Sequence, residues 1–145
     1  MKTKFKQAYM QCAQTFAELS HCERAKVGCI IVKDNRIISI GYNGMPSGWD
    51  NCCEDITRDE RGTTQLRSKA EVLHAEANAI AKLAQSADSA TGASLFCTHM
   101  PCMDCAKLIH QSGISEVYYN IDYRARVGSG LEFMQKSGIK TEQVL

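Results

Sequence analysis

Residues 74–120 run HAEANAIAKLAQSADSATGASLFCTHMPCMDCAKLIHQSGISEVYYN, and this stretch decides the fold. Its pattern predicts two helices and two strands in alternation, at Ala75–Ala84, Ser94–Thr98, Cys102–Ser112 and Val117–Asn120. Helices and strands that alternate along a chain typically form βαβ units, in which the strands run parallel and the helices cover the sheet. We therefore expect an α/β protein with a partly parallel sheet and helices on both of its faces.

The flanking sequence adds a helix, a hairpin and a loop. Apolar residues recur at intervals of three and four over Phe5–Leu19, which predicts an amphipathic helix. Two runs rich in β-branched residues, Val27–Val32 and Arg36–Tyr42, flank a turn-forming segment and predict an antiparallel hairpin. Asn43–Lys69 has no sustained period, so we expect a long functional loop there. A last helix and a weak strand are predicted at Leu131–Lys136 and Ile139–Val144.

The composition is that of one globular domain over residues 1–145, with 44% hydrophobic and 23% charged residues. Seventeen basic and 16 acidic residues give a net charge of +1, so no global field attracts the chain to nucleic acid or to an anionic membrane. No candidate membrane span or signal peptide is visible, and we expect a cytoplasmic protein. In that reducing compartment the eight cysteines are expected to be metal ligands or small buried residues, not disulfides.

Two short motifs carry the chemistry: His74-Ala75-Glu76 and Pro101-Cys102-Met103-Asp104-Cys105. Cys102 and Cys105 are three positions apart at the start of a predicted helix, so both sulfur atoms can face one point. With the imidazole of His74 they fill three positions of a tetrahedral zinc site, and a catalytic zinc keeps its fourth position for water. The sequence therefore predicts a catalytic zinc bound by His74, Cys102 and Cys105.

Glu76 is the predicted catalytic residue. It lies two positions from the histidine, where its carboxylate can stand beside the metal without binding it, as a proton shuttle requires. A C-x-x-C pair alone is common in structural zinc and redox sites, and an isolated H-x-E has little meaning. Their combination favours hydrolytic deamination, in which water replaces the amino group of a cytosine ring.

The segment Gly41–Gly48, GYNGMPSG, combined with the two zinc motifs, resembles the cytidine and deoxycytidylate deaminase superfamily, and within it the deoxycytidylate deaminases. Further matching segments are Lys26–Gly28, Arg36–Ile38, His74–Ile80, Cys105–Lys107 and Ser112–Ile114. Transfer RNA adenosine deaminases and guanine deaminases share the zinc motifs but are not expected to carry the Gly-Tyr-Asn-Gly element.

The resemblance implies a three-layer α/β/α fold with a five-stranded mixed sheet, and conversion of dCMP to dUMP for thymidylate synthesis. It also implies a homo-oligomer, with a hexamer favoured. Members of this family are commonly activated by dCTP and inhibited by dTTP, with magnesium. By analogy, these effectors would bind near the element formed by Gly41, Tyr42, Asn43 and Gly44.

The resemblance also suggests substrate-binding residues. Asn43 would hold the sugar and the base, while Arg24, Tyr123 and Arg124 occupy positions like those that contact the phosphate. A guanidinium group suits a phosphate monoester because it can donate two parallel hydrogen bonds. For Arg24 and Arg124, the alternative is an ordinary solvated arginine.

A second, structural zinc is implied for some family members. Cys22 and Cys52 match its two cysteine ligands, but no histidine matches its third. Cys53, His21 or Glu54 could take that place, and the alternative is that these cysteines are ordinary free thiols. Cys12, Cys29 and Cys97 are expected in the core.

Other functions are weighed against the leading one. A deaminase of transfer RNA or another polynucleotide should carry a basic stripe, whereas the charges at 58–69 are mixed, as in a solvated loop. A deaminase of a free nucleoside or of a modified cytosine stays open. A non-catalytic zinc-binding nucleotide sensor is a further alternative, but it would have no use for an unligated carboxylate at Glu76.

Overall fold

A computed structural model describes residues 1–122 and 129–145. The elements in chain order are α1 (Thr3–Ala17), β1 (Gly28–Lys33), β2 (Arg36–Tyr42), β3 (Glu54–Arg58), β4 (Thr64–Ser68), α2 (Ala75–Ala84), β5 (Ser94–His99), α3 (Met103–Gln111), β6 (Glu116–Ile121), α4 (Leu131–Lys136) and β7 (Lys140–Gln143). Within these described residues, every helix is too short or too polar to cross a membrane.

Five strands form the central sheet, in the order β2-β1-β5-β6-β7. β1 pairs antiparallel with both β2 and β5, while β5, β6 and β7 run parallel. The parallel pairs require crossovers, and α3 and α4 supply them. The sheet is therefore mixed, and its parallel half is the part that the alternating pattern of the sequence predicted.

Side chains that alternate along the strands build a separate core on each face of the sheet. On β5, Leu95 and Cys97 belong to the larger core, which includes residues of α2, α3 and α4. Phe96 points to the opposite face, where it packs in a smaller core with Met10 and Ala13 of α1. One helix thus covers one face and three helices cover the other, which confirms the predicted three-layer α/β/α fold.

The prediction of a loop over Asn43–Lys69 is wrong in its second half. β3 and β4 pair antiparallel there and form a separate two-stranded sheet. Every residue of β4 is exposed, so neither strand needs the alternation of apolar and polar residues that a half-buried strand shows. Gly62, with φ 78°, lies in the connecting turn, where the left-handed conformation suits glycine. The sequence pattern could not show a hairpin that has no buried face.

Gly41 allows α2 to approach the sheet closely. A Cβ atom at this position would lie 2.3 Å from the carbonyl oxygen of Ala75 and 2.7 Å from the amide nitrogen of Ala79. Both atoms belong to the helix backbone and cannot move aside independently of the helix. Gly41 is therefore a packing residue that sets the distance between α2 and β2.

Gly41→Ala is expected to destabilise the protein by about 2–3 kcal/mol, because overpacking against a rigid backbone is costly. Chemical denaturation of the purified variant measures this. Gly44→Ala is the matched control, since a Cβ at Gly44 would meet no atom within 4 Å. Equal stabilities of the two variants would contradict the close approach.

Candidate metal centre

The starts of two helices bring together the three residues predicted to bind zinc. His74 is the residue that immediately precedes α2, Cys102 immediately precedes α3, and Cys105 lies in the first turn of α3. The Nδ1 atom of His74 lies 3.6 Å from Sγ of Cys102 and 3.4 Å from Sγ of Cys105. All three ligand atoms lie within 4.8 Å of one another.

Backbone contacts hold the segments before both helices. The amides and carbonyls of Gly44 and Leu73 exchange two hydrogen bonds, of 3.1 and 2.8 Å, which places the residue before His74. On the other side, the amide of Gly130 donates to the carbonyl of Pro101 at 2.9 Å, next to Cys102. The ligand positions therefore depend on contacts between segments that are distant in sequence.

The distances fit a tetrahedral zinc ion. Zn–S bonds of about 2.3 Å and Zn–N bonds of about 2.0–2.1 Å at tetrahedral angles place nitrogen and sulfur about 3.6 Å apart. The two measured nitrogen–sulfur distances, 3.6 and 3.4 Å, agree with that edge. One imidazole and two sulfur ligands also form a donor set that zinc prefers over magnesium or calcium.

The two candidate cysteine ligands differ in how readily they ionise. Cys105 donates a hydrogen bond to Cys102 and, with a smaller effect from His74, lowers the pKa of the Cys102 thiol to about 4. The same hydrogen bond and then burial raise the pKa of the Cys105 thiol. The hydrogen bond with Cys102 also raises the pKa of His74. Without a metal, Cys102 is thus the thiol that ionises more readily, and metal binding would require Cys105 to lose its proton as well.

Glu76 lies in the first turn of α2 and is buried, with 4% of its surface exposed. Sγ of Cys97 on β5 donates a hydrogen bond of 2.9 Å to its Oε1 atom. Glu76, His74 and Cys102 all line the same cavity. The structure therefore places the side chain of Glu76 with two of the candidate metal ligands at the wall of a pocket.

The cavity has a volume of about 490 Å³, within the range of small-molecule sites. Two predicted substrate-binding residues, Arg24 and Asn43, line it. Ser68 and Lys69, from the end of β4 and the residue after it, also line it. The hairpin of β3 and β4, which the sequence pattern did not predict, therefore contributes polar and charged groups to the pocket.

Asn43 uses its side-chain amide to hold the neighbouring backbone. Its Oδ1 accepts a hydrogen bond of 2.8 Å from the amide of Val27, and its Nδ2 donates one of 2.8 Å to the carbonyl of Ala25. Each group keeps a second hydrogen-bonding position, so Asn43 shapes the cavity wall and still has capacity to bind a ligand. Of the other residues in the predicted effector element, Tyr42 accepts a hydrogen bond at its carbonyl from Asn78.

Arg24 is exposed, and its Nη1 donates a hydrogen bond of 3.1 Å to Oγ of Ser68. This hydrogen bond connects the segment that precedes β1 to the end of β4, beside the cavity. Tyr123 and Arg124, the other two predicted phosphate-contacting residues, lie outside the described residues.

A second cluster lies near this cavity. Cys22 and Cys53 form a disulfide, with their Cα atoms 5.3 Å apart, and a carboxylate oxygen of Glu54 lies within 4.8 Å of both sulfur atoms. The expectation that no cysteines pair is therefore wrong for these two. They are 31 residues apart in the chain, and only the fold brings them within disulfide range.

Cys52 is not part of that cluster. Its side chain is exposed, and its Sγ donates a hydrogen bond of 3.4 Å to the carbonyl of Glu54. The family resemblance suggested that Cys52 binds a structural zinc together with Cys22. Side chains of neighbouring residues in an extended segment point in opposite directions, so Cys52 and Cys53 cannot both face Cys22. Cys53 therefore takes the inner position. Of the three other cysteines expected in the core, Cys29 and Cys97 are fully buried, and Cys12 is only half-buried, against the smaller core.

The sequence matches the family described as the cytidine and deoxycytidylate deaminase zinc-binding region, over residues 3–121. The chain belongs to this family. The matched region contains both motifs of the candidate metal centre, and the family resemblance proposed from those motifs is confirmed.

Two relatives and one solved structure are similar to the chain over nearly all of its length. It is 33% identical to the deoxycytidylate deaminase of Saccharomyces cerevisiae over 99% of this chain and 46% of that protein. It is 34% identical to ComE operon protein 2 of Bacillus subtilis, over 99% of this chain and 72% of that protein. The dCMP deaminase of cyanophage S-TIM5, solved in complex with dCMP and dUMP, superposes with a TM-score of 0.85 at 44% identity, covering 99% and 98% of the two chains.

Proposed function

We propose that the protein is a zinc-dependent hydrolase that converts dCMP and water to dUMP and ammonia. The observation that carries this proposal is the placement of Glu76, His74 and Cys102 at the wall of one cavity, with Cys105 completing a group of three candidate metal ligands within 4.8 Å of one another. The similarity over almost the full length of a phage dCMP deaminase, crystallised with dCMP and dUMP, supports the choice of substrate.

The residues of the site divide the reaction between binding and proton transfer. His74, Cys102 and Cys105 would hold zinc, which lowers the pKa of a water molecule that it coordinates. Glu76 accepts a proton from the attacking water and delivers it to the ring nitrogen next to the amino-bearing carbon. Glu76 then takes the proton of the hydroxyl group newly added to that carbon and passes it to the departing amine, so that the carbon–nitrogen bond breaks, ammonia leaves and the ring becomes uracil.

The phosphate of the substrate would bind to cationic and hydroxyl groups of the cavity. Arg24, Ser68 and Lys69 line it, and the Arg24–Ser68 hydrogen bond brings two donors side by side. A guanidinium beside a hydroxyl suits the oxygen atoms of a phosphate monoester. A free nucleoside would leave these groups without a ligand, so we expect preference for the nucleotide.

A substrate panel tests the proposal. Ammonia release is measured with dCMP, deoxycytidine, CMP, a hydroxymethylated dCMP and an adenosine-containing transfer RNA stem-loop. We expect a much higher kcat/KM for dCMP than for deoxycytidine. Equal values for the two would contradict phosphate recognition, and activity on the RNA alone would contradict the proposed substrate.

Arg24→Ala is expected to raise KM for dCMP by about 10- to 100-fold, which is the range for losing hydrogen bonds to a charged group. Its KM for deoxycytidine should stay near that of the parent protein, because the nucleoside has no phosphate. Arg36→Ala, at an exposed position at the start of β2, is the matched control. A KM that rises equally for both substrates would show that Arg24 shapes the pocket instead of binding phosphate.

Further properties follow from family membership and stay predictions. These are a homo-oligomer, with a hexamer favoured, regulation by dCTP and dTTP with magnesium near Gly41–Gly44, and a second zinc held by cysteines among Cys22, Cys52 and Cys53. That second zinc would require the Cys22–Cys53 disulfide to be reduced, because cysteine binds zinc as a thiolate. A nucleoside monophosphate is an intracellular metabolite, so the reaction would take place in the cytoplasm. Sedimentation analysis with and without each triphosphate, together with metal counting, tests the first three.

A further inference from the structure

Glu76 has a hydrogen-bond donor in the sheet beneath it. Sγ of Cys97 lies 2.9 Å from Oε1 of Glu76, and the two side chains are 0% and 4% exposed. Cys97 is not one of the three candidate metal ligands, and it does not line the cavity. The mechanism above therefore has no role for this thiol, although it contacts the catalytic carboxylate directly.

The position of Cys97 is rigidly determined. It lies on β5, the middle strand of the five, where its backbone pairs with Cys29 on one side and Tyr119 on the other. Gly41 lets the helix that carries Glu76 lie close to the sheet, since a Cβ atom there would be only 2.3 Å from the backbone of that helix. Both partners of the hydrogen bond are therefore attached to elements that cannot easily shift relative to each other.

The thiol is suited to donate a hydrogen bond and unsuited to ionise. Burial raises the pKa of the Cys97 thiol well above its usual value, and the neighbouring Cys29 and Glu76 raise it further. An ionised carboxylate can only accept hydrogen bonds, and it accepts them at two oxygen atoms. A donor fixed at Oε1 therefore limits rotation of the carboxylate and directs Oε2 away from the sheet.

We propose that Cys97 is a positioning residue for Glu76: its thiol holds Oε1 so that Oε2 faces the cavity beside the candidate metal ligands. This inference rests on the proposed function, since proton transfer by Glu76 is part of it. A proton shuttle loses efficiency when its acceptor atom is free to rotate out of line, because the reacting atoms must be aligned before transfer.

Two substitutions of similar size separate the hydrogen bond from packing. Cys97→Ala removes the donor and is expected to lower kcat for dCMP by about tenfold with KM unchanged, since a thiol is a weak donor to a charged group. Cys97→Ser keeps a donor in the same place and should recover most of that loss. A purely structural role would instead change thermal stability equally in both variants and leave their kcat values alike.

Val117→Ala is the matched control for core packing. Val117 lies on β6, next to β5, and is as fully buried as Cys97 in the same core, but its side chain has no hydrogen-bonding group. Its replacement should reduce stability and leave kcat close to that of the parent. If Val117→Ala lowers kcat as much as Cys97→Ala, or if Cys97→Ala keeps the parent kcat, the positioning role is wrong while the deaminase function stands.

The Raman S–H stretching band supplies a readout that does not depend on activity. The band of Cys97 is assigned by its loss in Cys97→Ala, and it should move to higher frequency in Glu76→Ala, where the acceptor is gone. An unchanged frequency would contradict the hydrogen bond itself. A parent protein that fails to deaminate dCMP would contradict the proposed function, and the Raman result would still decide whether Cys97 holds Glu76.

Discussion

Glu76→Ala is expected to lower kcat for dCMP deamination by about 10³- to 10⁴-fold, the upper part of the range for general acid–base catalysis. The expectation is at the upper end because Glu76 acts twice, first on the attacking water and the ring nitrogen and then on the leaving amine. The structure supports a role limited to proton transfer, because the carboxylate lies outside the group of three candidate metal ligands. Steady-state kinetics and metal counting on the same preparation test this.

Metal content and stability must be preserved for this result to be meaningful. Glu76→Ala should bind as much zinc as the parent and melt cooperatively, and Glu76→Gln should behave likewise while keeping the size of the side chain. Glu71→Gln, at an exposed position shortly before α2, is the matched control and should retain parent activity. If Glu76→Ala kept most of its activity, another group would have to move the proton.

Cys105→Ser is expected to abolish zinc binding and, with it, detectable deamination. Replacing even an outer-shell partner typically costs about 10- to 100-fold in metal affinity, so the loss of a direct sulfur ligand should cost more. A serine hydroxyl stays protonated at neutral pH and is a poor substitute for a thiolate. Cys105 is buried at the start of α3, so its neighbours cannot supply another sulfur without moving the helix.

Metal analysis of dialysed protein measures this loss directly, without reference to activity. Cys12→Ser, at a half-buried position on α1, is the matched control and should keep the zinc content of the parent. The same measurement, repeated on reduced protein in which Cys22 and Cys53 are free thiols, counts any second metal. Full zinc content and activity in Cys105→Ser would contradict the assigned ligand set.

Most of the fold could be predicted from the pattern of apolar residues along the sequence, because each element of the main sheet buries one or both faces. The predicted bounds of β2, α2 and α4 match the observed ones, and β1, β5, β6 and β7 differ from their predictions by one residue at one or both ends. The exception is β3 with β4. Their residues are mostly exposed, so burial did not impose a period on the sequence, and the pairing is stabilised by backbone hydrogen bonds.

Some features of the candidate site could be predicted from short sequence spacings, and others depend on contacts between segments that are distant in sequence. His74, Glu76, Cys102 and Cys105 could be chosen from spacing alone, because the geometry of a helix start determines where ligands two or three positions apart can point. The hydrogen-bond partners that reach the site from distant segments could not be predicted from spacing. The hydrogen bond of Cys97 to Glu76 and that of Arg24 to Ser68 join residues 21 and 44 positions apart, respectively.

The sequence by itself therefore determined the α/β architecture of this protein and indicated its candidate metal ligands and proton-transfer residue, because these depend on burial periodicity and on short spacings. Tertiary structure alone decided which cysteine joins Cys22, which strand lies beneath Glu76 and which groups of β4 reach the cavity. The physical reason is that such contacts are set by sheet order and by the close packing of α2 over Gly41. Neither leaves a periodic signal along the chain.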